Sequence, residues 1–204
     1  MRLRLTVSFQ QRWHADDGHC FHLCASRIGE GIRYLLRAIM GTSFMSSVDP
    51  RELRNAFGEF TTGVTLVTTV GADGKAIGMT ANSFSSVSLE PPMVLWCIDK
   101  GSDRLGTFEA SNHFAINILA SNHQDLSNRF AKKGEPYLDG VPHEIWETGS
   151  PVIADAVAIF DCDVAARHDA GDHIIYVGLV RRFGRSGNQA GPLVFHQGGY
   201  KSVS

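Results

Sequence analysis

From Asp49 onward the chain alternates short apolar and β-branched runs with clusters of Gly, Asp, Pro and Ser. That punctuation predicts many short strands joined by turns. The first element is different. Asp49-Pro50-Arg51-Glu52 supplies a cap residue, Pro at the first helical position and Glu three residues after the cap. Leu53, Ala56, Phe57 and Phe60 then recur at helical spacing, so an amphipathic helix is expected from Asp49 to about Phe60. A Val/Thr strand follows over 64–70, then a hairpin turn at Ala72-Asp73-Gly74-Lys75 and a strand, loop, strand over 75–88. Pro91-Pro92 breaks the pattern before Met93-Val94-Leu95-Trp96-Cys97-Ile98, whose unbroken apolar character predicts a buried strand. Ser102 is expected to cap a short helix through Glu109, and residues 113–119 to form a strand with Phe114, Ile116 and Ile118 on one face. Residues 122–132 read as helix and 134–150 as a long polar connection. Two long strands, 157–167 and 173–185, are joined by the turn Asp169-Ala170-Gly171-Asp172.

This pattern predicts a mainly β fold with short helices, arranged as a closed or nearly closed barrel. No strand-helix-strand alternation carries a Gly-x-Gly-x-x-Gly turn, which argues against a Rossmann domain. Apolar residues make up 43% and charged residues 20% of the 204, enough for a real core. A net charge of −2 gives no support to nucleic-acid binding driven by counterion release. No apolar run approaches the roughly 20 residues that span a bilayer, so no membrane segment is expected.

Residues 1–45 have a different character. Arg and His are scattered without stable periodicity, acidic residues are few (Asp16, Asp17, Glu30), and one helical piece fits Ile28–Ile39. This composition also fits an organelle transit peptide; a disordered extension is the favoured reading, because Met45 opens a stretch that looks like a natural N-terminus. The domain is accordingly placed at 46–204. Cys20, Cys24, Cys97 and Cys162 form no regular framework and are read as reduced thiols of a cytoplasmic protein. The His19–Cys24 cluster lacks the second ligand pair that a structural zinc site needs, so no metal is expected.

The stretch richest in candidate chemistry is Gly78-Met79-Thr80-Ala81-Asn82-Ser83-Phe84-Ser85. Small residues let backbone approach a flat ligand closely, and N–H and O–H groups can meet its polar edge. A half-solvated strand has the same composition, so the residues alone leave both readings open.

Taken in order, Thr62-Gly63-Val64-Thr65-Leu66-Val67-Thr68, the Gly78–Ser88 stretch, Pro91-Pro92-Met93-Val94 and Phe114-Ala115-Ile116-Asn117-Ile118-Leu119 resemble the short-chain flavin reductase family. Ser127-Asn128-Arg129-Phe130-Ala131, Gly171-Asp172-His173 with the strand after it, and the ending Pro192–Tyr200 continue the resemblance across 49–201. It implies a homodimeric, flavin-binding split barrel that reduces FMN or FAD with NADH or NADPH. Such a protein would supply reduced flavin to a separate monooxygenase.

Carried over by position, the resemblance places Thr80, Asn82, Ser83 and Phe84 along the isoalloxazine and ribityl chain. Asp99, Lys100, Gly101 and Ser102 open the next helix, where an anionic or carbonyl-rich group can sit. Arg129, Ala131 and Lys132 lie where positive charge would neutralise the flavin phosphate. Gly171, Asp172 and His173 fall beside the nicotinamide, with His173 orienting it, and Tyr200 is a weaker candidate of the same kind. Trp96 and Trp146 are read as packing residues. Hydride passes from nicotinamide C4 to flavin N5, so alignment and electrostatic tuning matter more than an acid–base pair. Two rivals are a pyridoxamine-phosphate-oxidase-like enzyme on the same barrel and a non-enzymatic flavin-binding electron carrier.

Overall fold

A computed structural model describes residues 48–201 apart from Glu135, Asn188 and Gln189. The expected extension at 1–45, its helical piece and the His19–Cys24 cluster lie outside the described residues. Helix α1 (Pro50–Gly58) starts as expected: Asp49 adopts an extended conformation and its carboxylate accepts the Arg51 N–H at 2.8 Å. It ends before Phe60, and its apolar face is left largely open among the described residues. Leu53, Phe57 and Phe60 are 40%, 68% and 77% exposed.

Strands β1 (Thr62–Gly63), β2 (Thr65–Val70), β3 (Ala76–Ala81), β4 (Ser85–Leu89) and β5 (Pro92–Asp99) come next. Gly74 takes a positive φ of 76° in the turn between β2 and β3, a conformation glycine adopts without steric cost. Helix α2 (Leu105–Ala110) begins three residues later than Ser102. Residues 100–104 form turns instead, because the Ser102 hydroxyl accepts the Arg104 N–H and the Ser102 N–H bonds Asp99 O. Strand β6 (His113–Ile118), a 3₁₀ turn at Ser121–His123 and helix α3 (Gln124–Ala131) follow, then two-residue strands β7 (Glu144–Ile145) and β8 (Pro151–Val152) within the polar connection. The long strands β9 (Ala158–Ala170) and β10 (His173–Arg185) meet in a two-residue turn, Gly171-Asp172, tighter than the four-residue turn expected. Strands β11 (Val194–His196) and β12 (Gly199–Lys201) close the described chain, β11 pairing with β1 on one side and β12 on the other.

Seven strands form one antiparallel sheet in the order β3-β2-β6-β9-β10-β5-β4. Its edges, β3 and β4, are consecutive in sequence and joined only by residues 82–84, so the sheet curls until its ends are neighbours. Ser83 clips that gap: its hydroxyl accepts the Cys97 N–H at 2.9 Å and donates to Cys97 O at 3.1 Å.

The core lies on the inside of this curl. One cluster centres on Leu66, Leu119, Phe130 and Leu138, the other on Trp96, Phe114, Ile116 and Tyr176. Fully burying an aliphatic or aromatic side chain of this size contributes roughly 1.5–3 kcal/mol. Trp96 stacks on Tyr176 at 5.1 Å and meets Phe108 and Phe114 edge-on. Strand β5 corrects the expectation of a wholly buried run. Val94, Trp96 and Ile98 are buried, while Met93, Leu95 and Cys97 are only partly covered. Their neighbours across β10, Leu179, Val177 and Ile175, share that outer face and are also partly covered.

Candidate active site

A cleft of about 310 Å³ opens between the end of β3 and the turns after β5. Met79, Thr80, Ala81, Asn82 and Ser83 form one wall. Cys97, Asp99 and Gly101 through Arg104 form the other. Phe130, Ala131 and Lys133 at the end of α3 close one side, and His173 stands where β10 begins.

The structure therefore brings together Met79, Thr80, Ala81, Asn82, Ser83, Asp99, Gly101, Ser102, Ala131 and His173 of the residues singled out in the sequence. Others lie elsewhere. A Cβ on Gly78 would sit 3.0 Å from Leu66 and 3.2 Å from Leu138, so Gly78 serves core packing. The Phe84 ring stacks on Phe160 at 5.6 Å, and Ser85 belongs to edge strand β4. Arg129 donates to the carbonyls of Tyr137 and Asp139, holding the polar connection onto α3. Lys132 contributes its carbonyl, not its ammonium, to the site's surroundings, as the acceptor for Arg104 Nη2. Lys100 Nζ is held by Asp169 Oδ2 and Gly171 O, each at 2.7 Å, which ties the β9–β10 hairpin tip to the turn after β5. Gly171 supplies that tip with a positive φ of 66°. Asp172 faces His173, with its carboxylate 2.8 Å from His173 Nδ1. The imidazole's hydrogen bond holds the Asp172 carboxyl below its usual pKa.

The hydroxyls lining the cleft do not point where their composition suggests. Thr80 donates to Ser127 O at 2.7 Å, which fastens β3 to α3. Ser83 is committed to Cys97, and the Ser102 hydroxyl lies 3.7 Å from the Met79 sulfur. Contacts to a ligand on this wall thus fall to backbone groups and the Asn82 amide. Burial pushes the Cys97 thiol upward in pKa, so it stays protonated and apolar in character.

Five cleft residues escaped the sequence reading: Cys97, Asp103, Arg104, Phe130 and Lys133. Arg104 is the most telling. Its side chain is 4% exposed, with Nη1 on Asp103 at 3.0 Å and Nη2 on Lys132 O. Its Nε–H is buried with no partner among the described residues. A buried guanidinium N–H left unmatched is costly, and an anionic ligand entering the cleft would satisfy it. Asp103 accepts the Gly134 N–H at 2.8 Å, the main reason its carboxyl is held below the ordinary 3.8. That bond is fully present above the unfolded carboxyl's pKa and is lost only as pH falls through the lower folded value, so the clamp persists at neutral and mildly acidic pH. Among the described residues no cluster of His, Cys, Asp and Glu could hold a metal, and no helix is long and apolar enough to cross a membrane.

A mostly β chain, with short helices fastening one cleft at the gap in a curled sheet, is the architecture of a flavin reductase. The profile of the flavin reductase like domain matches residues 57–204, and the chain belongs to that family. It is 48% identical over 155 residues to an FMN reductase (NADH), SmoA, of Agrobacterium fabrum, covering 76% of this chain and 86% of the relative. It is 38% identical over 159 residues to the reductase subunit HsaB of a flavin-dependent monooxygenase of Mycobacterium tuberculosis, covering 78% and 84%. Against a probable flavin reductase of Rhizobium meliloti it is 44% identical over 152 residues, 74% of this chain, but spans only 48% of that relative's length. The structure resembles that of the NADH:FAD oxidoreductase SgcE6 of Streptomyces globisporus with a TM-score of 0.70 at 36% identity, covering 78% of this chain and 97% of the other.

Proposed function

We propose that the protein is an NAD(P)H:flavin oxidoreductase that hands reduced flavin to a partner monooxygenase. The observation that carries this reading is the cleft, with backbone groups on one wall and a buried guanidinium and an imidazole among its lining residues, in a chain of this family. The residues present fit a flavin. Arg104 Nε offers a donor to its phosphate with Lys133 nearby, and Asn82 with the backbone of 80–83 offers donors to the ring's polar edge. A flavin held there would supply the hydride acceptor, its N5, for a nicotinamide C4. The chain's own contribution is alignment: His173, steadied by Asp172, orients the nicotinamide, and the apolar Cys97 and Phe130 keep water from the ring. Steady-state oxidation of NADH and NADPH with FMN, FAD and riboflavin tests the whole proposal. Turnover with added free flavin is expected; its absence, with tight flavin binding, would identify an electron carrier instead.

His173→Ala is expected to lower kcat/KM for the nucleotide about 5- to 30-fold, the loss of one neutral hydrogen bond and a ring contact. Flavin Kd, read by fluorescence quenching, should change less than twofold. An effect on flavin affinity with unchanged nucleotide kinetics would put His173 on the wrong side of the ring.

The same reading includes a homodimer. What supports it is the outer face of β5 and β10, where Leu95, Cys97, Ile175 and Val177 lie side by side partly uncovered, together with the bare apolar face of α1. Apolar surface of this extent is better covered by a second copy than by water. Light scattering should return twice the chain mass, and Leu95→Arg should shift it toward the monomer. A fully active wild-type monomer would contradict the assignment. We place the protein in the cytoplasm; fractionation of cells producing the full chain checks this.

A further inference from the structure

The seven-stranded sheet carries a bare stretch besides its two edges. Strand β10 pairs with β9 as far as Arg185, but its pairing with β5 ends at Leu179, opposite Met93. Strand β5 begins at Pro92, so among the described residues 180–185 of β10 are paired along one side only. The ladder with β9 slips between Val180 and Arg182, and a bulge at such a point re-aims the side chains that follow. Arg182 and Gly184 then face Trp146. The Arg182 guanidinium lies 4.0 Å from a ring centroid of Trp146, and a Cβ on Gly184 would fall 2.9 Å from Trp146 Cη2. Alternation turns Phe183 to the opposite face, where it stands across from Phe160 in the register and is 72% exposed. Phe160 in turn stacks on Phe84, so Phe183 is the uncovered end of an aromatic row. The stretch Val180-Arg181-Arg182-Phe183-Gly184-Arg185 holds three arginines and no acid. Arg181 is engaged by Asp163 at 2.5 Å, whereas Arg182 and Arg185 have no carboxylate partner among the described residues.

These features specify an occupant. Unpaired N–H and C=O groups along an extended strand accept one more strand from another chain. A second copy of the same stretch fits poorly, because antiparallel self-pairing sets arginines against arginines. A segment that alternates acidic and apolar side chains fits well. Its carboxylates would lie beside Arg182, whose guanidinium keeps its N–H edges available while its face rests on Trp146. Its apolar side chains would lie beside Phe183, and Arg185 would meet an acid at the segment's end. We propose that residues 180–185 of β10 are a docking edge for an acidic, extended segment of a partner protein, which joins the sheet as an added strand. For the monooxygenase partner of the reading above, the proposal names where it grips this chain and by what chemistry; it rests on that reading only for the partner's identity.

The probe is a fluorescein-labelled peptide of about eight residues alternating glutamate and valine, enough to span 180–185. Titrated by anisotropy against the full chain, it should bind saturably below about 100 μM. Phe183→Ser should weaken binding about tenfold. Arg182→Glu and Arg185→Glu should each weaken it about fivefold. Thermal melts verify that each variant folds, and reduction of free FMN by NADH should be unchanged, since none of the three residues lines the cleft. Amide hydrogen exchange should slow on peptide binding within 180–185 and not along β4. Equal binding of a peptide with lysine in place of glutamate would overturn the proposal by removing the charge match. Equal binding of one with a central proline would overturn it by removing the strand, and protection confined to β4 would put the site elsewhere. No binding of the peptide by wild type would also overturn it; if Phe183→Ser then halves the mass in light scattering, the edge belongs to a second copy. Peptide binding is read without flavin or nucleotide, so failure of the reductase reading shows as absent turnover and failure of this one as absent binding.

Discussion

Gly178→Ala is expected to lower the melting temperature by roughly 6–12 °C, corresponding to about 3 kcal/mol for a unit of this size. Gly178 sits on β10 against β9, and a Cβ there would lie 2.5 Å from Phe114 Cζ and 3.0 Å from Cys162 Cβ. Phe114 cannot swing aside, because it is wholly buried and wedged against Trp96 and Tyr176. Overpacking of this sort forces rotamer changes that spread through the aromatic cluster. Gly106→Ala is the matched control. Gly106 lies within α2 with open space around its Cβ position, and alanine there should stabilise by about 0.5–1 kcal/mol through helix propensity. Thermal unfolding of the two variants should therefore move in opposite directions. If Gly178→Ala melts with the wild type, the aromatic cluster is looser than the contacts described.

Arg104→Met should weaken FMN binding about 10- to 100-fold, the worth of a charge-assisted hydrogen bond in a desolvated site. Riboflavin, which has no phosphate, should lose less than threefold. The comparison separates a phosphate contact from a structural one, since Arg104 also ties the 100–104 turns to Lys132 O. Equal losses for FMN and riboflavin would mean that the guanidinium acts only by shaping the cleft.

Much of the fold was legible because its signals are local. Asp49 and Pro50 mark the start of α1 by chemistry that needs no tertiary context, and Gly74 marks a turn in the same way. The β9–β10 hairpin was legible from the two apolar runs flanking Gly171-Asp172. The exposure of β5 was not: an unbroken apolar run carries no period, so nothing in it separates the covered Trp96 from the half-covered Leu95. Ser102 misled for a related reason. Its hydroxyl can cap a helix or hold a turn, and the Asp99 and Arg104 contacts select the turn.

The site was legible in outline and less so in detail. The Gly78–Ser83 stretch does line the cleft, yet Thr80 and Ser83 use their hydroxyls to hold Ser127 and Cys97. A hydroxyl looks the same in sequence whether it faces a ligand or a neighbouring strand. Arg104 left no trace at all, because whether an arginine is solvated or buried depends on chain that arrives from Lys132 and Gly134. Arg129 and Lys100 had the better motif context and turned out to brace carbonyls and a hairpin tip.

The curl of the sheet leaves two edges, and an unpaired edge is a template on which other chains can add strands and grow into fibrils. Strand β4 is the more vulnerable, since it is five residues long and exposes Val87 and Leu89. It carries its own protection. The pairing with β5 slips between Ser86 and Ser88, and Pro91 and Pro92 follow at once. A slipped register spoils the straight row of N–H and C=O groups that an incoming strand would need, and proline offers no donor to extend it. At the other edge, the Gly78 N–H on β3 is already taken by Pro136 O. Both edges thus resist open-ended polymerisation along the strands, whatever covers the apolar face of β5 and β10.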